Sequence, residues 1–137
     1  MKHQAVVLYV EDDPQSRRLM RMLLQRRMNL PYVTILENSE DFLARVGELD
    51  PRPDVIFLDI HVKPYNGFKM LEMLRQLEWV RRTPIVAVTA SVMNEEVYKL
   101  RVAGFDGCLA KPIDLTTFSE TFDRILSGEA IWHILAH

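Results

Sequence analysis

Acids, a hydroxyl and an ammonium follow short apolar runs at four places in this chain. Residues 5–10 lead into Glu11-Asp12-Asp13, residues 55–58 into Asp59, residues 85–88 into Thr89, and residues 108–110 into Lys111-Pro112. Carboxylates gathered at one place repel: a pair about 4 Å apart costs roughly 4 kcal/mol at an effective dielectric near 20. A divalent cation relieves that repulsion, and an all-oxygen ligand set with room for water suits Mg²⁺, with Mn²⁺ as a substitute. A carboxylate beside such an ion can attack phosphorus and become an aspartyl-phosphate. The transition state spreads negative charge over the equatorial oxygens and needs a metal, a cation and hydrogen-bond donors already in place. Lys111 is the candidate cation and the Thr89 hydroxyl a candidate donor, with backbone N–H groups after residue 89 as further donors. Taken singly, each residue has a plainer reading. Acids complement a helix start, a threonine can close a turn, and a lysine can simply be solvated. Four such residues at four strand ends favour the chemical reading.

The elements that must position them alternate. Residues 5–10, 32–36, 55–58, 85–88 and 108–110 read as strands, and near-continuous apolar runs of this kind suit strands buried on both faces. Between them lie amphipathic stretches. Pro14 suits the first turn of a helix carrying Leu19, Met20, Leu23 and Leu24. Asn38 or Ser39 can cap a helix with Phe42, Leu43 and Val46, and Asn66-Gly67 opens one with Phe68, Leu71, Leu74 and Leu77. Asn94 can cap a fourth, with Val97, Leu100 and Val102, ending at a left-handed Gly104. Asp114 can cap a fifth, with Leu115, Phe118, Phe122, Ile125 and Leu126, ending at Gly128. Five β–α units in a row imply an α/β fold, a parallel sheet covered by helices on both faces. Ligands of such sheets bind at the carboxyl ends of the strands, where Glu11, Asp12, Asp59, Thr89 and Lys111 fall.

Composition sets the outer limits. The chain has 137 residues, 48% of them apolar, which suits one domain with one core. A net charge of -2 gives no global pull toward nucleic acid or anionic membrane. One cysteine, Cys108, allows no intrachain disulfide and fits a reducing compartment. No apolar run is long enough to span a bilayer and the N-terminus lacks a secretory pattern, so the reading is cytoplasmic. Residues 129–137 carry Ile131, Trp132, Ile134 and Leu135, and packing back on the body is favoured over a partner contact.

The motifs Val10-Glu11-Asp12-Asp13-Pro14, Phe57-Leu58-Asp59-Ile60, Asn66-Gly67, Val88-Thr89-Ala90 and Ala110-Lys111-Pro112 together resemble the receiver domains of two-component response regulators, over residues 6–126. The resemblance implies a three-layer, flavodoxin-like (βα)5 fold with strand order 2-1-3-4-5, with residues 1–128 as the receiver and 129–137 as a short tail. It implies Asp59 as phosphoacceptor, and Mg²⁺ bound by Asp12 and Asp59, by Glu11 through water, and by the backbone carbonyl of His61. Thr89, the Ala90 N–H and Lys111 would hold the phosphoryl oxygens, and the Lys111–Pro112 bond would be cis. It further implies a sensor histidine kinase or histidine phosphotransfer protein as phosphoryl donor. An unknown downstream protein would read the signal, without direct DNA binding, because about ten residues after the last helix are too few for a helix-turn-helix unit.

Three positions depart from the family pattern. Cys108 stands where an aromatic residue usually couples to the hydroxyl residue, so the pair Thr89 and Cys108 lacks a ring to move. Val62-Lys63 replaces the usual Met-Pro, with Pro64 one place later, which brings a cation near the site. His61 and Ser91 occupy loop positions that in the family tune the phosphoryl lifetime, as Lys63 would here. The basic helix with Arg17, Arg18, Arg21, Arg26 and Arg27 lies where the family docks its donor, and Tyr98 and Arg101 lie on its signalling face. A degenerate receiver acting as a constitutive interaction module is the second reading. An aspartate-nucleophile phosphatase is disfavoured because position 61 is histidine rather than a second aspartate. A flavin site is disfavoured because three acids follow the first strand where a phosphate loop would be needed.

Overall fold

The computed structural model describes residues 4–132. Five parallel strands form its centre: β1 (Val6–Val10), β2 (Tyr32–Leu36), β3 (Val55–Asp59), β4 (Ile85–Thr89) and β5 (Gly107–Ala110). Their order is β2-β1-β3-β4-β5. The helices are α1 (Pro14–Arg21), α2 (Phe42–Gly47), α3 (Gly67–Leu74), α4 (Asn94–Ala103) and α5 (Phe118–Leu126). A π-helical segment, Met22–Arg27, continues α1, and a 3-10 turn, Glu78–Arg82, precedes β4.

Strand periodicity splits the core in two. Side chains at alternate positions point to opposite faces. Val7, Tyr9, Val55, Phe57, Val86, Val88 and Leu109 pack with Met20, Leu23 and Leu24 after α1's start and with Phe118, Phe122 and Ile125 of α5. Leu8, Val10, Ile56, Leu58, Ile85, Ala87 and Cys108 pack with Phe42 and Val46 of α2, Met70 and Leu74 of α3, and Val97 and Leu100 of α4. Phe57, Phe118 and Phe122 form an aromatic cluster with centroids 5.7 to 6.3 Å apart. β3 and β4 are buried throughout, as continuous apolar runs require, whereas edge strand β2 is partly exposed.

Helix starts follow the sequence reading in two cases. Pro14 stands in the first turn of α1, which Asp13, not singled out as a cap, closes by accepting from the Ser16 N–H at 2.9 Å, and Asn66 caps α3 by accepting from the Lys69 N–H at 2.9 Å. Three other caps differ. Asn94 is the first residue of α4, and Met93 precedes it with no side-chain cap. Asp114 accepts from the N–H and hydroxyl of Thr116 instead, a local turn that delays α5 until Phe118. Asp41, in the left-handed region, precedes α2; Asn38 turns back to the Glu40 N–H, and Ser39 bridges to another loop. α3 ends at Leu74, so Leu77 lies beyond it, before the 3-10 turn. Val102 of α4 is 67% exposed rather than in the core, because it sits off the Val97–Leu100 stripe. Gly104 is left-handed, with φ 108°, at the end of α4.

After α5 the chain returns to the sheet. The Cys108 N–H donates to the Ile131 carbonyl at 2.8 Å, and Trp132 bridges to Cys108 beside β5. A Cβ on Gly107 would lie 2.7 Å from that carbonyl, so only glycine admits this approach. The Arg101 guanidinium lies 4.7 Å from the centre of the Trp132 ring. Ile134 and Leu135 lie outside the described residues. No described helix is long and apolar enough to cross a membrane.

Candidate phosphoacceptor site

Sheet register places the acids. Val10 pairs with Leu58 across β1 and β3, so the next residues, Glu11 and Asp59, emerge side by side at the carboxyl edge. That edge, between β1 and β3, is where strand order reverses. Glu11, Asp12 and Asp59 each offer a carboxylate oxygen within 4.8 Å of the others. Asp12 is exposed, whereas Glu11 and Asp59 are buried.

One cation faces them. Lys111 Nζ lies 3.0 Å from both carboxylate oxygens of Glu11 and 3.5 Å from Asp59 Oδ1. Glu11 Oε1 also accepts from the Tyr9 hydroxyl at 2.5 Å, and Oε2 from the Asp13 N–H at 3.2 Å. Pairing of β4 with β5 positions the lysine: Thr89 pairs with Ala110, and the Lys111 N–H donates to the Thr89 carbonyl at 2.9 Å. The Lys111–Pro112 peptide is cis, as are Asp50–Pro51 and Lys63–Pro64.

Burial and charge act in opposition here. Burial, reinforced by the Glu11 charge, pushes the Asp59 carboxyl up to about 6 against the pull of Lys111. Burial alone would lower the Lys111 ammonium, but its hydrogen bond to Glu11 and the Asp59 charge hold it above its ordinary value. Burial and the Glu11 carboxylate keep the Tyr9 phenol protonated, well above the usual range. Burial also raises the Cys108 thiol to about 11, which leaves it protonated and unreactive at neutral pH.

The remaining candidates fall around this notch. Thr89 is buried, and its hydroxyl oxygen accepts from the Ser91 N–H at 3.2 Å, which leaves the hydroxyl proton free to donate. Ala90 and Lys111 line a cavity of about 580 Å³ shared with Tyr9, Asp13 and Arg18. His61 is exposed, and its N–H approaches Asp59 Oδ1 at 3.5 Å, a marginal hydrogen bond. Lys63 is exposed, and its carbonyl accepts from the Ser39 N–H at 3.1 Å. Cys108 is fully buried in the opposite core from Tyr9.

Two residues that matter to the site were not singled out by sequence. Tyr9 reads as one more apolar strand residue, although its position two before Glu11 puts both on one face of β1. Ser39 reads as a helix cap. It instead donates to the Tyr65 carbonyl at 2.8 Å and accepts from the Tyr65 N–H at 2.6 Å, tying the loop after β2 to the loop after Asp59.

The chain belongs to the response regulator receiver domain family, whose model matches residues 7–123. It is 31% identical over 125 residues to the polar-differentiation response regulator DivK of Brucella anthropi, covering 90% of this chain and 97% of DivK. It is 32% identical over 125 residues to the signal transduction histidine-protein kinase BarA of Shigella flexneri; the match covers 91% of this chain but only 13% of BarA. The chemotaxis response regulator CheY4 of Vibrio cholerae has a similar structure, with a TM-score of 0.78 at 26% identity, covering 89% of this chain and 98% of CheY4.

Proposed function

We propose that this receiver accepts a phosphoryl group on Asp59 in a Mg²⁺-dependent reaction and signals through contacts with other proteins. The observation that carries this reading is the oxygen cluster of Glu11, Asp12 and Asp59 faced by Lys111. Three ionised carboxylates against one ammonium leave the notch short of positive charge, and hard oxygen donors suit a hard divalent ion. Asp12 and Asp59 would hold Mg²⁺, or Mn²⁺ in its place, with Glu11 acting through water and His61 through its carbonyl. The bound ion would neutralise charge on the transferring phosphoryl group.

Asp59 is the nucleophile. One of its oxygens attacks phosphorus of a phosphohistidine, the P–N bond breaks, and the imidazole leaves. Lys111, the Thr89 hydroxyl and the Ala90 N–H hold the phosphoryl oxygens. The donor is a sensor histidine kinase or a histidine phosphotransfer protein. Its docking surface includes the exposed Arg18, which lines the cavity, and the exposed Arg21 and Arg26 further along the same helical segment. Arg17 and Arg27 are partly engaged, donating to the Glu11 and Leu115 carbonyls at 3.0 and 3.1 Å. Tyr98 is exposed on α4 with Arg101 a turn away, and these contact the downstream protein. Neither DNA nor membrane contact is part of this reading, and its setting is the cytoplasm. His61, Lys63 and Ser91 tune hydrolysis of the phosphoryl group; an unchanged dephosphorylation rate in His61→Ala would remove His61 from that set.

Cys108 favours a second reading, a constitutive interaction module, since no ring is present there to report the state of Thr89. Titration with beryllofluoride and Mg²⁺, followed by amide NMR shifts, separates the two. The receiver reading predicts saturable shifts at Asp59, Ala90 and Lys111 that spread to α4. Absent shifts would favour the constitutive module.

A further inference from the structure

Tyr9 supplies the only polar side-chain atom in β1. It is fully buried, with its ring edge-on to Phe57 at 6.4 Å. Phenylalanine would fill the same space, and a buried hydroxyl costs desolvation unless it is partnered. The partner is Glu11 Oε1 at 2.5 Å, the length of a strong charge-assisted hydrogen bond.

Glu11 is itself completely buried, and its carboxylate is held by donors of two kinds. The Tyr9 hydroxyl and the Asp13 N–H are fixed by β1 and by the start of α1. Lys111 is the one not fixed by the backbone: its long side chain reaches both Glu11 and Asp59. A phosphoryl group on Asp59 would draw Lys111 toward its oxygens. Removing a cation from a buried carboxylate is costly unless other donors remain. The Tyr9 hydroxyl and the Asp13 N–H stay, and Tyr9 supplies the shorter bond and the only side-chain donor of the two.

We propose that Tyr9 is a positioning residue whose hydroxyl holds Glu11 in place so that Lys111 can leave Glu11 for the phosphoryl group. The inference rests on the receiver reading above. Tyr9 does not touch the reacting atoms; it acts through Glu11, and the step it assists is the transfer of Lys111 between two anions.

The test is Tyr9→Phe, which keeps the ring and removes the hydroxyl alone. Amide NMR shifts would be followed while the full chain is titrated with Mg²⁺ alone, then with beryllofluoride in saturating Mg²⁺. Mg²⁺ affinity is expected to change by less than about twofold, because Asp12 and Asp59 would hold the ion directly, Glu11 only through water, and Lys111 need not move. Beryllofluoride affinity is expected to fall about tenfold, the scale of one hydrogen bond to a charged group. In a Glu11→Gln background the same substitution should change beryllofluoride affinity by less than about twofold. A purely structural role would lower the melting temperature without separating the two ligands. Unchanged beryllofluoride affinity in Tyr9→Phe, equal weakening of both ligands, or an undiminished effect beside Glu11→Gln would each overturn the assignment. Failure of the wild-type protein to bind beryllofluoride would overturn the receiver reading and this inference with it.

Discussion

In its proposed role Asp59 would have to be ionised to bind a cation and to attack phosphorus, yet burial and Glu11 push its carboxyl up to about 6. Below about pH 6 a proton therefore competes with Mg²⁺, and affinity should fall about fivefold between pH 6 and pH 5, approaching tenfold per pH unit only below that, measured by calorimetric titration. The same shift affects stability. The folded-state pKa lies above the ordinary 3.8, so the native state binds more protons than the unfolded state between about pH 4 and 6. Metal-free protein should therefore lose stability as pH rises through that window. Asp59→Asn removes the ionisable group and should raise metal-free stability at pH 7 by about 1–3 kcal/mol, a gain that vanishes near pH 4 in urea unfolding. An unchanged difference across that range would argue against the raised pKa. Glu11, Asp59, Thr89 and Lys111 were legible in the sequence because each ends an apolar run. Tyr9 was hidden inside a run, and its polar atom acquires meaning only once its neighbour across two residues is placed.

Strands were read more accurately than helix starts, and the reason is physical. A buried strand announces itself in every residue, whereas a cap depends on the path of the loop before it. Asp13 and Asn66 cap because the chain turns directly into α1 and α3. Asn38 and Asp114 instead satisfy nearby turn N–H groups, and Ser39 is drawn to Tyr65 across a second loop. That bridge secures the segment following Asp59. Ser39→Ala strands both backbone polar groups of Tyr65 and should cost about 1–3 kcal/mol by urea denaturation. A cost within a few tenths would mean that water replaces the hydroxyl. Gly67 is held to a similar constraint, since an added Cβ would lie 2.9 Å from the Ile60 Cα.

At the scale of the molecule, the alternation of strands and helices was legible, and strand order followed from family resemblance. The division of helices between faces was not, because both sets of alternate residues in β1 and β3 are apolar. The return of the chain to β5 was readable only as an apolar tail with a glycine upstream. Gly107→Ala should drive the Ile131 carbonyl from its place. In a Trp79→Phe background, Trp132 fluorescence should then shift to the red; an unmoved spectrum would show that the backbone yields elsewhere.

The proposed function rests on transfer of a phosphoryl group to one carboxylate. The protein would be incubated with acetyl phosphate and Mg²⁺, any acyl-phosphate reduced with borohydride, and the modified residue located by peptide mass spectrometry. The account predicts modification at Asp59 alone, absent with chelator and absent in Asp59→Asn. Modification elsewhere, or none with Mg²⁺ present, would contradict it.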